Sequence, residues 1–363
     1  MVKVSVVIPV YNVEEFLGEC LDSITNQTLE DIEIICVNDG SKDKSLEILN
    51  EYASRDERIT VIDQENGGHA VATNNGMKLA KGKYLFLMDS DDILDLNALE
   101  ESYNVAEEKN VDFVIFQAIN YYMDTGKLIE AENYSMNEIA AHVGDSVFDY
   151  RDVKDYVFDI TVTPWSKLYN REFIEKNSIT FPEGLVFDDN VFFYDVLFAA
   201  DRITFLKKHL FKRRWYSASS TRSGARHFKD YIQICDLIWQ VFIKYGVFWD
   251  FERELYHKKV STVYYWYKNI NDEFKDIFFD EMKQDYLKIV EDEEFYKNFM
   301  KKLTRENRTI FTNAIEADNH RQFSLLMENY ELKKEIKNLK KKIEEFESSR
   351  SWKITRPLRS IKK

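Results

Sequence analysis

Two hydrophobic rhythms alternate through the first 117 residues. Short apolar runs occupy Val4–Pro9, Ile32–Val37, Thr60–Asp63, Tyr84–Met88 and Val111–Phe116. Between them, apolar residues recur three and four positions apart. Glu14–Asn26 carries Phe16, Leu17, Cys20, Leu21 and Ile24 on one face, and Asp43–Ser54 runs through Leu46, Leu49 and Tyr52. Similar segments span about His69 to Ala80, closed by Gly82, and Asn97–Glu108. Continuous apolar runs read as strands buried on both faces, and the periodic segments as amphipathic helices. Strands separated by helices of this length predict right-handed βαβ units. The fold class is therefore α/β, a Rossmann-like, mainly parallel sheet flanked by helices.

Beyond Asn120 the rhythm breaks. Residues 121–230 are rich in Tyr, Phe and Trp but show few clean periods. From Tyr231 to about Met300 the pattern is helical with aromatic faces, as at Val263, Tyr264, Tyr267 and Ile270. The last segment carries a heptad seam, with Leu325, Leu332, Leu339 and Phe346 at one position and Asn329, Ile336 and Ile343 at the other. About three heptads is the minimum for a coiled coil, and Asn329 within the seam would fix register or oligomer state. Residues 325–346 thus read as a homo-oligomerising helix, with a single helix packed on the body as the competing reading. No internal repeat occurs.

Composition narrows the class. The chain has 363 residues, 44% hydrophobic and 15% aromatic, enough for two domains and an appendage and too apolar for a disordered protein. No run approaches the roughly 18 apolar residues that span a bilayer, and Val4–Val10 follows Met1 without a signal-peptide pattern. Cys20, Cys36 and Cys235 are odd in number and lie in apolar surroundings, which fits reduced core thiols and a cytoplasmic location. The net charge of −14 is uneven: residues 333–363 hold 12 Lys/Arg against 4 Glu, a net of +8, which leaves −22 on the rest. An acidic body argues against nucleic acid as partner. In the basic end, Arg350, Lys353, Arg356, Arg359 and Lys362 recur every third residue among Trp352, Ile354, Leu358 and Ile361. That mixture suits peripheral contact of 350–363 with the anionic inner face of the cell membrane; a solvated tail or a protein docking segment remain alternatives.

The chemistry concentrates where the strands end. Tyr84–Met88 stops at Asp89-Ser90-Asp91-Asp92, and in an extended chain residues two apart point to the same side. Asp89 and Asp91 therefore reach one site, at the carboxyl edge where open α/β sheets bind ligands. Two carboxylates there suit a hard cation, Mg²⁺ or Mn²⁺, carrying phosphate; an acidic, helix-capping turn is the bland alternative. The same edge collects Pro9, Tyr11 and Asn12, then Asn38, Asp39, Gly40 and Ser41, then Asn66, Gly67, Gly68 and His69. An aromatic can stack on a base, an Asp can accept a base N–H, and glycines let backbone approach phosphate ahead of a helix N-terminus. Neither a P-loop nor a Gly-x-Gly-x-x-Gly fingerprint occurs.

The runs VSVVIPVYNVEEFLGECLDSI, IEIICVNDGSKDKS and NGGHAVATNNGMKLAKGKYLFLMDSDD resemble the family 2 glycosyltransferases of the GT-A fold, over roughly residues 3–117. The resemblance implies that Pro9, Tyr11 and Asp39 contact the uridine of a UDP-sugar, with Asn66, Gly67 and Asn74 in the family's Gly-rich segment. Asp89 and Asp91 become its Asp-x-Asp motif, Asp91 the more direct metal ligand and Asp89 nearer the ribose. Downstream, Thr163–Tyr169 looks like the family's Trp-x-Lys-Leu element, and Asp188-Asp189 like its acidic pair near the acceptor, usually Glu-Asp. Arg213 to Thr221 resembles its loop over the diphosphate, with Arg213 or Arg214 as the clamp. Two positions depart: Thr73 stands where Arg is common, and His69 where a small or apolar residue is commoner.

On this resemblance the domains are 1–230 (a nucleotide-sugar half, 1–117, and an acceptor half, 118–230), a helical region, 231–324, and a coiled-coil-like helix with basic tail, 325–363. The implied reaction is metal-dependent, inverting transfer of a hexosyl or N-acetylhexosaminyl group to a saccharide or lipid-linked saccharide. Asp189 is the expected base, Asp188 its alternative, with helix capping the structural option for both. Trp165 is a sugar platform or a core residue. A sugar nucleotidyltransferase, or a non-catalytic glycan-binding scaffold of the same fold, are the rival functions.

Overall fold

The computed structural model describes residues 1–215 and 226–348. The Ser/Thr-rich part of the loop after Arg213 and the basic segment 350–363 lie outside the described residues. The chain divides into two compact units, residues 1–251 and 252–363.

The first unit is built on one ten-stranded sheet. Its strands are β1 (Val4–Val10), β2 (Ile32–Asp39), β3 (Ile59–Gln64), β4 (Tyr84–Leu87), β5 (Ile93–Leu94), β6 (Phe113–Tyr122), β7 (Lys127–Ile129), β8 (Val147–Phe148), β9 (Lys167–Asn170) and β10 (Ile203–Trp215). They run in the order β3-β2-β1-β4-β9-β6-β10-β5, with β7 beside β6 and β8 beside β10. β3, β2, β1 and β4 are mutually parallel, as the apolar runs predicted. β9 lies antiparallel between β4 and β6 and joins the two groups of strands. β10 runs parallel to β6 but carries register shifts on either side of His209.

Helices α1 (Leu17–Thr25), α2 (Ser45–Arg55), α3 (His69–Leu79) and α4 (Ala98–Lys109) connect the early strands. α1 starts three residues later than its periodicity predicted. Its approach is held instead by side chains at and just before the start of α2: Ser45 Oγ accepts from Val13 N–H and Asp43 Oδ2 from Glu14 N–H. Leu17, Cys20, Leu21 and Ile24 are buried on its inner face. α3 lies directly on the sheet. A Cβ on Gly76 would fall 2.4 Å from Val7 Cγ1, so only glycine permits this approach.

The irregular region 121–230 contains α5 (Glu132–Ser135), α6 (Asn137–Val143), α7 (Arg171–Lys176) and α8 (Asp188–Ala199), and α9 (Asp230–Lys244) follows. Its aromatics form packed pairs, such as Phe181 stacked on Phe192 at 4.0 Å. Cys20, Cys36 and Cys235 are buried and form no disulfide with one another.

The second unit comprises α10 (Glu252–Asn269), α11 (Lys275–Glu291), α12 (Glu293–Lys302), α13 (Arg305–Glu316) and α14 (His320–Ser348). Val263, Tyr267 and Ile270 are buried, as their spacing predicted. A buried Lys259–Asp285 ion pair at 2.7 Å sits in its interior. Among the described residues no helix is long and apolar enough to cross a membrane.

Candidate active site

With the strand order β3-β2-β1-β4, chain connections diverge on either side of β1, and the carboxyl ends of β1 and β4 open on the crevice that binds ligands in such sheets. Tyr11 follows β1 and is 51% exposed, leaving its ring free for stacking. Asn12 Oδ1 accepts from Lys42 N–H at 2.7 Å and ties that corner to the turn after β2. Asp39, at the end of β2, is buried. Its Oδ1 accepts from Gln64 Nε2 and Gly67 N–H, and its Oδ2 from Gly68 N–H, each at 2.8 Å. Asn66 Nδ2 donates to the Asp39 carbonyl at 2.9 Å. Asp39 thus shapes the glycine turn, and one carboxylate acceptor site remains for a ligand. Gly68, at φ +89°, leads that turn into α3.

Beyond β4, carboxylate oxygens of Asp89, Asp91 and Asp92 lie within 4.8 Å of one another. Burial, then the Asp91 charge, pushes Asp89 up to about 6, although His69 and Arg213 pull it down. Asp92 is raised strongly by burial, Asp91 and Asp89. Crowded, desolvated carboxylates of this kind are relieved by a cation, and an all-oxygen donor set fits Mg²⁺ or Mn²⁺. Asp92 faces inward: its Oδ1 accepts from Arg214 N–H at 2.6 Å, so it fastens the acidic turn to β10.

Asp188 and Asp189 reach the same crevice. α8 begins at Asp188, whose Oδ2 lies 3.2 Å from His69 Nδ1 at the start of α3. Burial lowers the His69 pKa, but the hydrogen bond and charge of Asp188, with Asp89 and Asp189, raise it to about 9. Asp189 is pushed up to about 7 by burial and then by Asp188, against hydrogen bonds from Asn190 and the His69 charge. The segment entering α8 is fixed by Asn74, which accepts from Phe181 N–H at 3.0 Å and donates to the Phe181 carbonyl at 2.9 Å. α3 therefore holds both its own His69 and the approach to Asp188.

Two expectations need correction. Arg214 is not a diphosphate clamp: its side chain is 1% exposed and donates to the Asp91 carbonyl and Glu19, each at 2.5 Å. Its neighbour Arg213 is the available cation. The Arg213 charge acts on Asp89 and Asp92, and its buried Nη1 has no hydrogen-bond partner among the described residues. Trp165 is not a sugar platform but a core residue, 3% exposed and stacked on Phe211 at 4.3 Å. Thr73 is likewise buried, its hydroxyl donating to the His69 carbonyl.

Sequence reasoning missed the Asn74 clamp, whose partner is 107 residues away, and the place of Lys167. That lysine is fully buried beneath the site; burial lowers its pKa to about 7, and Nζ donates to the Thr161 and Thr163 carbonyls at 2.8 and 2.7 Å. His69 had no local signal beyond its helix-start position.

Comparison with known proteins adds lineage to this geometry. The family profile "Glycosyl transferase family 2" matches residues 5–177. The chain is 35% identical over 226 residues to glycosyltransferase GlyG of Streptococcus pneumoniae, covering 61% of this chain and 73% of GlyG. It is 36% identical over 220 residues to the uncharacterized glycosyltransferase EpsJ of Bacillus subtilis, covering 57% of this chain but 60% of EpsJ, less than two thirds of that relative. Among solved structures, S. aureus TarS 1-349 in complex with UDP-GlcNAc aligns with a TM-score of 0.70 at 18% identity, covering 91% of this chain and 92% of that one, a likeness of fold.

Proposed function

Because the chain belongs to glycosyl transferase family 2, we propose that it transfers one hexose or N-acetylhexosamine from a UDP-sugar to a saccharide or lipid-linked saccharide of a surface glycan, with inversion. The observation that carries this reading is the convergence, in one electrostatically coupled crevice, of Asp89 and Asp91 with His69, Asp188, Asp189 and Arg213. The TarS complex with UDP-GlcNAc supports a uridine donor in this fold.

Tyr11 stacks on the base, and the Asp39-shaped turn presents backbone to the donor. Arg213 receives the negative charge that develops on the departing diphosphate. Asp89 and Asp91 would hold a Mn²⁺ or Mg²⁺ ion, which when bound supplies Lewis-acid charge to that leaving group. Asp188 is engaged by His69, so Asp189 is the carboxylate that takes the proton of the attacking hydroxyl. Its elevated pKa suits a base working near neutral pH. Inversion follows from a single displacement, with no covalent sugar–enzyme adduct.

The test is UDP release from a panel of nucleotide-sugars with Mn²⁺ and candidate acceptors. Wild type should release UDP and Asp91→Ala should lose metal-dependent UDP binding. No UDP release with any donor would favour a scaffold, and turnover requiring a sugar phosphate a nucleotidyltransferase.

A further inference from the structure

α14 buries side chains in its unit near its start, and further along an ion pair from Lys334 to Glu306 of α13, at 3.0 Å, ties its outward face to the same unit. Phe323 is fully buried, its ring 5.2 Å from Tyr267 and 5.5 Å from Phe279, and Met327 is buried one turn later. From Glu331 to Phe346 every residue is exposed. Leu325, Leu332, Ile336, Leu339 and Ile343 are 50–65% exposed. A helix lying on a domain buries a broad apolar stripe, whereas a strict two-in-seven seam marks a supercoiled pair. From Asn329 onward the seam steps by three and four: 329, 332, 336, 339, 343.

We infer that residues 325–346 form a parallel, two-stranded coiled coil with a second copy of this chain. β-branched Ile336 and Ile343 share one seam position and Leu332 and Leu339 the other, the distribution that favours two parallel strands. In that arrangement Asn329 meets its own counterpart, the pairing that satisfies a buried amide. The flanking charges agree. Glu328 falls opposite the partner's Lys333, and Glu335 opposite the partner's Lys340. An antiparallel pair aligned on the same seam would set Lys333 against the partner's Lys340. Ion pairs within the chain use Glu331, Lys334, Lys341 and Glu345, which lie off these flanks.

Sedimentation of the full chain tests this. Wild type should be a dimer, and Ile336→Asp/Ile343→Asp a monomer with UDP release unchanged. Glu335→Lys and Lys340→Glu should each weaken the dimer several-fold, and the double variant should restore it. Leu339→Cys should form an interchain disulfide on mild oxidation. A wild-type monomer up to about 100 µM, an affinity near the weak limit of specific association, overturns the inference. So does a dimer indifferent to Ile336→Asp/Ile343→Asp, or failure of Leu339→Cys to cross-link.

Discussion

Asp189 meets opposing demands, since the burial that makes it a stronger base also makes its charged form costly. Its pKa is raised in the folded chain to about 7. The sign follows: relative to the unfolded carboxyl, its stabilising contribution is full below about pH 4 and is lost as pH rises through 7. Asp189→Asn should therefore be more stable than wild type at pH 8, by roughly 1–2 kcal/mol after discounting for partial exposure, and nearly equal at pH 4. Denaturant titrations at both values check this. The same variant should keep donor affinity and lose roughly 10²–10⁴ in transfer rate. In wild type, kcat/KM should climb tenfold per pH unit below about 7 and then level off. Trp165 provides the contrast. Stacked within the core, Trp165→Ala should cost about 3–5 kcal/mol, whereas Trp165→Phe should lower Tm and leave the acceptor KM unchanged, measured by thermal melts and initial rates.

At the scale of elements, β10 sorts two adjacent arginines onto opposite tasks. Successive strand residues point to opposite faces, so Arg213 acts on Asp89 while Arg214 locks the Asp91 carbonyl and Glu19. The irregularity around His209 sets their phase. Deleting exposed Lys207 should exchange them and reduce both Tm and UDP affinity, whereas Arg213→Ala should weaken UDP binding with Tm nearly unchanged; calorimetry separates the two. This also explains what the sequence made legible. β1, β2 and β4 were readable because strands buried on both faces are written as unbroken apolar runs, and the half-exposed β3 was readable from its place between two periodic helices. β10 was not: its segment Lys207-Lys208-His209 and its Arg213-Arg214 pair interrupt any apolar run, and its partner β6 lies about ninety residues earlier in the chain. β9 is four residues long and begins with a lysine. The Asp89–Asp91 pair was legible from local spacing. The His69–Asp188 contact was not, because it spans 119 positions.

At the scale of the whole chain, the proposed transfer and the proposed dimer contact rest on different units, so they should separate experimentally. Truncation after Ser348 should leave UDP release and the dimer intact while abolishing sedimentation with anionic vesicles. Equal sedimentation of both forms would remove residues 350–363 as the membrane contact. Within the first unit, antiparallel β9 hydrogen-bonds to β4 on one side and β6 on the other. A rotation that shut the donor side against the acceptor side would have to tear that ladder. Among the described residues, the β4–β9–β6 ladder is continuous where two-lobed enzymes often hinge. Any gating on substrate binding must then come from connections at the rim, and swapping those connections should retune specificity without disturbing the platform beneath.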